Sequence, residues 1–164
     1  MLEDIKKPLP AAKNGGSTPE DLDQVFANLR GGGTGGRASD AAEQAYVRGL
    51  KLQKAGDIDG CIAALQEAAR SPRLRFVTAA LVARIFKERG QTSQAIEWFE
   101  RAGQAPAPTT DESYQLMYDL AETLEAADET ARALAVCLEL QAEAGDFKDV
   151  AARIDRLTKV QAGG

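Results

Sequence analysis

The chain has 164 residues, is 44% hydrophobic but only 5% aromatic, and carries a net charge of −5. That length suffices for one domain with its own core, and the acidic balance supplies no basic field for nucleic acid or anionic lipid. There is no histidine, and the two cysteines are Cys61 and Cys137. This excludes His-containing zinc and haem sites and any His-based triad, and argues against a disulfide framework.

Residues 1–18 mix Lys, Pro, Gly and Ser without periodicity and are expected to be a disordered tail. The opening MLEDIKKPLP has no apolar stretch of the kind a secretory signal needs. In residues 19–30, Leu22, Val25, Phe26 and Leu29 fall at i, i+3, i+4 and i+7, one face of a short amphipathic helix. Thr18 suits its N-cap, Pro19 its first turn, and Glu20 and Asp21 the positive end of its dipole. Residues 31–38 read as a Gly-rich flexible linker.

An ordered helical body is expected over 39–160, with Ser39 or Asp40 as its N-cap and 161–164 as a short tail. Its helices are predicted to about Lys54, then over about 58–70, 74–89, 92–103, 111–127, 130–144 and 146–160. Gly56, Gly90 and Gly145 close helices, Pro72 stops one, and Pro106 and Pro108 mark a longer loop. The most apolar stretch, 76–86, contains Thr78 and Arg84 and is too short to span a bilayer, so no membrane insertion is expected. A reduced, cytoplasmic protein is the plainest reading.

The most informative signal is internal repetition. GLKLQKAGDIDGCIAALQEA, from Gly49 to Ala68, returns as ARIFKERGQTSQAIEWFERA, from Ala83 to Ala102, 34 residues later. A fixed period of this size, with small residues at matching offsets, marks stacked helical hairpins that bury their apolar faces on one another and leave a groove. A third, weaker copy has Ala121, Leu124, Asp128, Ala133, Cys137 and Leu140, displaced by four extra residues in the Pro-containing loop.

With these residues the chain resembles the tetratricopeptide repeat (TPR). In the order of that motif's small, bulky, turn, small, large and small positions, the first repeat has Gly49, Leu52, Gly56, Cys61, Leu65 and Ala68. The second has Ala83, Phe86, Gly90, Ala95, Phe99 and Ala102. The resemblance covers about residues 42–144 and implies an all-α helix-turn-helix solenoid of three repeats plus a C-terminal capping helix. Arg48 stands where an apolar residue is usual, Asp128 replaces a turn glycine, and Leu140 replaces a small residue. A narrower likeness, from Ala95 to Leu157, is to bacterial TPR proteins carrying AIEWFERA, YQLMYDLAETLEAA and FKDVAARIDRL, where the domain sits within larger assembly or cell-surface machinery. The layout is also similar to the small TPR chaperones of type III secretion.

The resemblance implies where a partner would bind. Groove-lining positions map to Tyr46, Leu50 and Gln53 in the first repeat, Val77, Arg84 and Lys87 in the second, and Tyr118 and Glu122 in the third. Tyr46, Leu50, Val77 and Tyr118 would form an apolar strip with Arg84 and Lys87 beside it, suited to a peptide or amphipathic helix bearing an acidic residue. The plain alternative is that these residues complete packing between repeats. A carboxylate clamp for C-terminal tails is not expected, since its Lys and Asn positions hold Tyr46 and Leu50, then Ala80, Leu81 and Arg84, then Tyr118, Asp119 and Glu122. The Leu22–Leu29 face would dock into another protein, or into the groove of its own or a neighbouring chain, the last giving a homo-oligomer.

The last predicted helix places Phe147, Val150, Ala151, Ile154 and Leu157 on one side, with Lys148, Asp149, Arg153, Arg156 and Lys159 mostly elsewhere, as a solenoid cap requires. Trp98 is expected at an inter-helix edge or on the convex face, and Cys61 and Cys137 in packing. No nucleophile, phosphate-binding loop, cofactor motif or metal cluster appears, so a non-enzymatic protein-protein interaction scaffold is expected. The alternative is an assembly or secretion chaperone shielding an apolar client segment.

Overall fold

The computed structural model describes residues 36–164. The expected tail, the 19–30 helix with Leu22, Val25, Phe26 and Leu29, and the linker up to residue 35 lie outside the described residues.

Seven α-helices and no strand make up the described residues: α1 Gly36–Lys54, α2 Ile58–Ala68, α3 Arg75–Glu88, α4 Thr92–Gly103, α5 Thr110–Ala126, α6 Thr130–Ala144 and α7 Val150–Ala162. Each packs on the next in sequence, and α3 also meets α5. The described residues are therefore three antiparallel hairpins, α1–α2, α3–α4 and α5–α6, stacked in order with α7 closing the end. It is an all-α, TPR-like helical solenoid.

The same backbone device ends the first helix of each hairpin. At Gly56 (φ 83°), Gly90 (φ 72°) and Asp128 (φ 59°) the chain enters the left-handed region. The next amide reaches back five residues each time: Asp57 N to Leu52 O, Gln91 N to Phe86 O and Glu129 N to Leu124 O, all at 2.9 Å. These are Schellman closures, which satisfy carbonyls a helix end would otherwise leave bare. Asp128 is the residue that breaks the glycine pattern, yet it adopts the glycine's conformation; Asp tolerates it better than most side chains. A Cβ added at Gly90 meets nothing within 4 Å, so substitution there costs backbone strain alone. We expect Gly90→Ala to lose about 1–2 kcal/mol and Asp128→Gly to gain roughly 0.5–1 kcal/mol. Urea titration checks this: the two midpoints should move in opposite directions at unchanged slope.

Small residues set the distance between helices. Ala83, Ala95, Ala102, Ala121, Ala133, Cys61 and Ala68 are all fully buried. Gly49 is the tightest case, since a Cβ there would lie 3.0 Å from the Leu65 side chain across the first hairpin. Large residues fill the spaces that remain: Leu65, Phe99, Leu124 and Leu140 are among the largest fully buried side chains. The third hairpin inverts sizes at two positions. Where its predecessors pair a large residue with a small one, Leu65 with Ala68 and Phe99 with Ala102, it has buried Cys137 and Leu140. Exchanging the sizes keeps the summed volume close, and a core tolerates volume-conserving exchange best. The four extra loop residues are also used: Ala105 is buried and Ala107 packs against the cluster around Phe99.

The helix ends that bear on the argument differ from the sequence reading at the first, fifth and last helices. The first helix begins at Gly36, so 36–38 is helix where the linker was expected. Ser39 does not cap it; its hydroxyl donates to Glu43 Oε1 at 3.3 Å, one turn further on. The fifth starts one residue early because Thr109 caps it, accepting from Glu112 N at 3.2 Å. The last begins at Val150, four residues later than expected, because Lys148 (φ 48°) turns the chain left-handed. It then continues to Ala162, into the expected tail.

Two buried threonines show how polar groups are accommodated. Thr78 Oγ1 donates to Leu74 O and Thr123 Oγ1 to Asp119 O, each at 2.7 Å and one turn back along its own helix. Neither hydroxyl is left without a partner, so neither signals a site.

Candidate functional site

The first helices of the hairpins, α1, α3 and α5, carry all eight expected groove residues. Contacts between α3, α5 and α7 define one continuous face. Arg84 Nε donates to Asp119 Oδ2 at 2.8 Å, and Lys87 Nζ to Glu122 Oε2 at 2.6 Å. Gln115 Nε2 donates to the other oxygen of Asp119 at 2.8 Å. Arg84 and Lys87 therefore spend their charge on α5.

Tyr118 is buried at 9% exposure. Its hydroxyl donates to Asp149 Oδ1 at 2.5 Å and accepts from Arg153 Nη2 at 3.0 Å. Arg153, from α7, is the hub. It also donates to Glu122 Oε1 at 3.0 Å and to Glu125 Oε1 at 2.5 Å, and its guanidinium lies 4.9 Å from the Tyr118 ring centroid. Arg156 takes the second oxygen of Glu125 at 2.8 Å. On the Tyr118 ring Lys148 Nζ also sits, 4.6 Å from the centroid, while donating to Gln115 Oε1 at 2.6 Å. Phe147 packs edge-on against Tyr114 and Tyr118 at 5.9 and 6.0 Å. The α6–α7 turn thus closes over the third-repeat end of the face.

The titration behaviour follows from these contacts. Burial favours the neutral form of Glu122, but the Lys87 hydrogen bond and charge, with Arg153, overcome it and hold the carboxyl below its ordinary value. Asp149 is held down first by the Tyr118 hydroxyl. Burial, and next the bond to Asp149, pushes the Tyr118 phenol up.

The first two hairpins offer different chemistry. Tyr46 packs against the apolar cluster of Cys61, Ile62, Leu65, Val82 and Ile85, and Val77 against the cluster around Phe99. Tyr46, Leu50, Gln53 and Val77 are all half-buried. Burial raises the Tyr46 phenol, and the charge of Glu112, at the start of α5, adds to the effect. The face is therefore in two parts: Tyr46, Leu50 and Val77 on α1 and the first turn of α3, and an ion-paired part where Arg84 and Lys87 of α3 meet α5 and α7.

The sequence reading missed the most connected side chain on this face, having placed Arg153 on the polar side of the last helix. A signal was available. Arg84 to Asp119, Lys87 to Glu122 and Tyr118 to Arg153 all span 35 residues. Complementary groups about one repeat apart meet across adjacent first helices, as neighbours do at i and i+4 within one helix. Cys61 and Cys137 are free and buried. Trp98 is half-buried at a helix edge, with the Arg101 guanidinium 4.7 Å from its ring. Among the described residues, no group of three or more acidic or cysteine side chains could hold a metal ion, and no helix is long and apolar enough to cross a membrane.

No protein-family model matches the sequence, and no curated protein matches it. Among solved structures, the chain is similar to a crystal structure of a putative kinesin light chain with nearly identical TPR-like repeats from Podosopora anserina. The TM-score is 0.52 at 16% identity, over 88% of this chain and 77% of that one. Similarity at that identity establishes the shared TPR-like architecture.

Proposed function

We propose that this chain is a non-enzymatic interaction scaffold that holds a peptide or amphipathic helix of a partner protein on the α1–α3 part of its concave face. The observation that carries this reading is the division of the face. Arg84 and Lys87 are already matched by Asp119 and Glu122, so a ligand carboxylate would have to displace an existing pair. The aliphatic side chains of Leu50 and Val77, beside Tyr46 on the same part of the face, hold no ion pair that a ligand would have to displace. A ligand that lays apolar side chains along them gains by covering carbon, and polar groups at the rim give register.

The solenoid supports this by rigidity: helices fixed by close Ala and Gly contacts present side chains with little left to order on binding. In the same proposal, the scaffold serves a larger bacterial assembly and works in the cytoplasm, with Cys61 and Cys137 reduced and serving as packing.

The test uses the partner segment isolated with the full-length protein. In a calorimetric titration, Leu50→Asp and Val77→Asp should each weaken binding by about tenfold or more, the effect of losing an apolar anchor at an interface. Leu138→Asp, at an exposed position on α6, should leave affinity unchanged. Helical circular dichroism should be the same for all three. Equal affinity for the Leu50 and Val77 variants would place the binding surface elsewhere.

A further inference from the structure

We propose that α7 and the turn before it form an ion-latched lid, which opens as a unit while the three hairpins stay folded and so extends the concave face onto the third hairpin. The opening does not depend on what binds at α1 and α3.

Three observations carry this. The first is how little carbon holds α7. It buries two apolar side chains, Val150 and Leu157, with the charged Arg153 between them, and Phe147 and Ile154 are partly buried beside them. By contrast α2 buries Cys61, Ile62, Ala64, Leu65 and Ala68, and α4 buries Ala95, Ile96, Phe99 and Ala102. Apolar area removed from water is what chiefly fixes a short helix to its neighbours, so α7 has the weaker hold.

The second is what the rest of the anchoring is made of. Towards α5 it consists of long charged side chains. Arg153 reaches Glu122 and Glu125, Arg156 reaches Glu125, and Lys148 donates to Gln115. Ion pairs taken out of water lose in hydration much of what they gain in attraction, so they fix geometry more than they add stability. When α7 leaves, Glu122 and Glu125 regain water. Arg153 Nε is buried without a hydrogen-bond partner among the described residues, a cost that opening removes.

The third is the hinge. Gly145 (φ 68°) and Lys148 (φ 48°) both hold left-handed backbone, three residues apart, and a lysine in that region is strained. Asp149 stands at the N-cap of α7 but its side chain makes no capping bond. Its carboxylate accepts from the Tyr118 hydroxyl at 2.5 Å instead. Opening frees that carboxylate to cap the first turn of α7, which offsets part of the lost Tyr118 contact.

Opening uncovers a defined surface. Tyr118, Glu122 and Glu125 on α5 lose the side chains that cover them, and the face then runs across all three hairpins with an aromatic and acidic part added. The lid thus regulates how much of the face a partner can meet.

A native thiol reports the opening. Cys137 is buried in the cluster that holds Val150 and Leu157, and the charges acting on its sulfur are those of Arg153, Glu125, Asp149 and Arg156. It therefore lies beneath the latch. Cys61 is equally buried, in a cluster to which α7 contributes nothing.

The test is alkylation of the folded full-length chain by iodoacetamide, each cysteine followed by peptide mass spectrometry and its rate divided by that of the same thiol in the urea-unfolded chain. Cys137 is expected to react at least about tenfold faster than Cys61, because the lid opens more often than the whole fold. Raising salt from about 0.1 to 1 M shortens the screening length from about 10 Å to about 3 Å. This should speed Cys137 by a further factor of about three to ten and leave Cys61 unchanged. Glu125→Gln removes the carboxylate shared by Arg153 and Arg156. It should speed Cys137 by about tenfold at low salt and reduce the response to salt. Equal rates for the two cysteines would overturn the lid, since α7 would then open only with the whole fold. A faster Cys137 that ignores both salt and Glu125→Gln would overturn the ionic latch.

Discussion

Phe99→Ala is expected to be the most destabilising single substitution in the described residues, at about 4 kcal/mol, within the 3–5 kcal/mol seen for buried phenylalanines. Phe99 is fully buried and heads the largest such side chains. What sets the magnitude is its company. Its cluster includes Ala79, Ala80, Ala83, Ala95, Ala102 and Ala105, with Phe76 and Leu116 the only larger buried members. Alanine has no rotamer with which to lean into a vacated space. The helices themselves would have to approach, and Ala83 and Ala95, in the same cluster, are already at zero exposure. The cavity should therefore persist and cost the upper part of the range. Denaturant titration should show a large fall in midpoint at unchanged slope. Phe99→Leu, which keeps most of the volume, should cost far less. A loss below about 2 kcal/mol for Phe99→Ala would mean that the hairpins can collapse inward, contrary to the packing described.

Arg153→Ala should be next, at about 3 kcal/mol, for a different reason. Arg153 is 8% exposed and is the shared partner of Glu122, Glu125, Asp149 and Tyr118. Its guanidinium stays charged, with its pKa raised: burial opposes the charge, and the bonds to Glu125 and Tyr118 outweigh it. Deleting a buried ion while its counter-ions remain costs about 3–5 kcal/mol; the lower end applies because Glu122 is still one-third exposed. Arg153→Lys should recover only part of the loss, since one ammonium cannot fork to acceptors on two sides. Combining Arg153→Met with Glu125→Gln should be milder than Arg153→Ala alone, because the unpaired carboxylate is removed too. Acid gives a second readout of the same anchoring. Glu122 and Asp149 have folded pKa values below their ordinary ones. Their contribution is present above the ordinary carboxylate range and is lost as pH falls through the lowered values, so α7 amides should lose exchange protection below about pH 4.

These two residues also mark what could and could not be read from the sequence. Phe99 was legible as a core residue because its repeat copies the first one 34 residues away, and the copy places a bulky residue among small ones. Gly56 and Gly90 announced their turns for the same reason. Asp128 was placed at the matching turn by the repeat alone, with no glycine to announce its left-handed conformation. Cys137 and Leu140 were likewise placed at motif positions, and what stayed hidden was that the two exchange sizes and so conserve volume.

Arg153 was invisible for another cause. Helical periodicity sorts a charged residue to the solvent face, and only contacts to another helix, about one repeat away, reverse that assignment. Phe147 was placed on the last helix because nothing local distinguishes Lys148 as the residue that turns the chain. The eight groove positions came from the resemblance rather than from periodicity. They fall on the first helices of the three hairpins, but only the 35-residue spacing of complementary groups indicated that Arg84, Lys87, Tyr118 and Glu122 would be engaged with α5 and α7.

The central claim is that the α1–α3 strip, and not the outer surface, meets the partner. The most direct measurement is site-specific photo-cross-linking in the cells that make the protein. A photo-reactive amino acid would be placed at Leu50 in one chain and at Leu138, exposed on α6, in another. The account predicts a discrete adduct to a partner protein from Leu50, and none from Leu138. An adduct from Leu138 with none from Leu50 would contradict it.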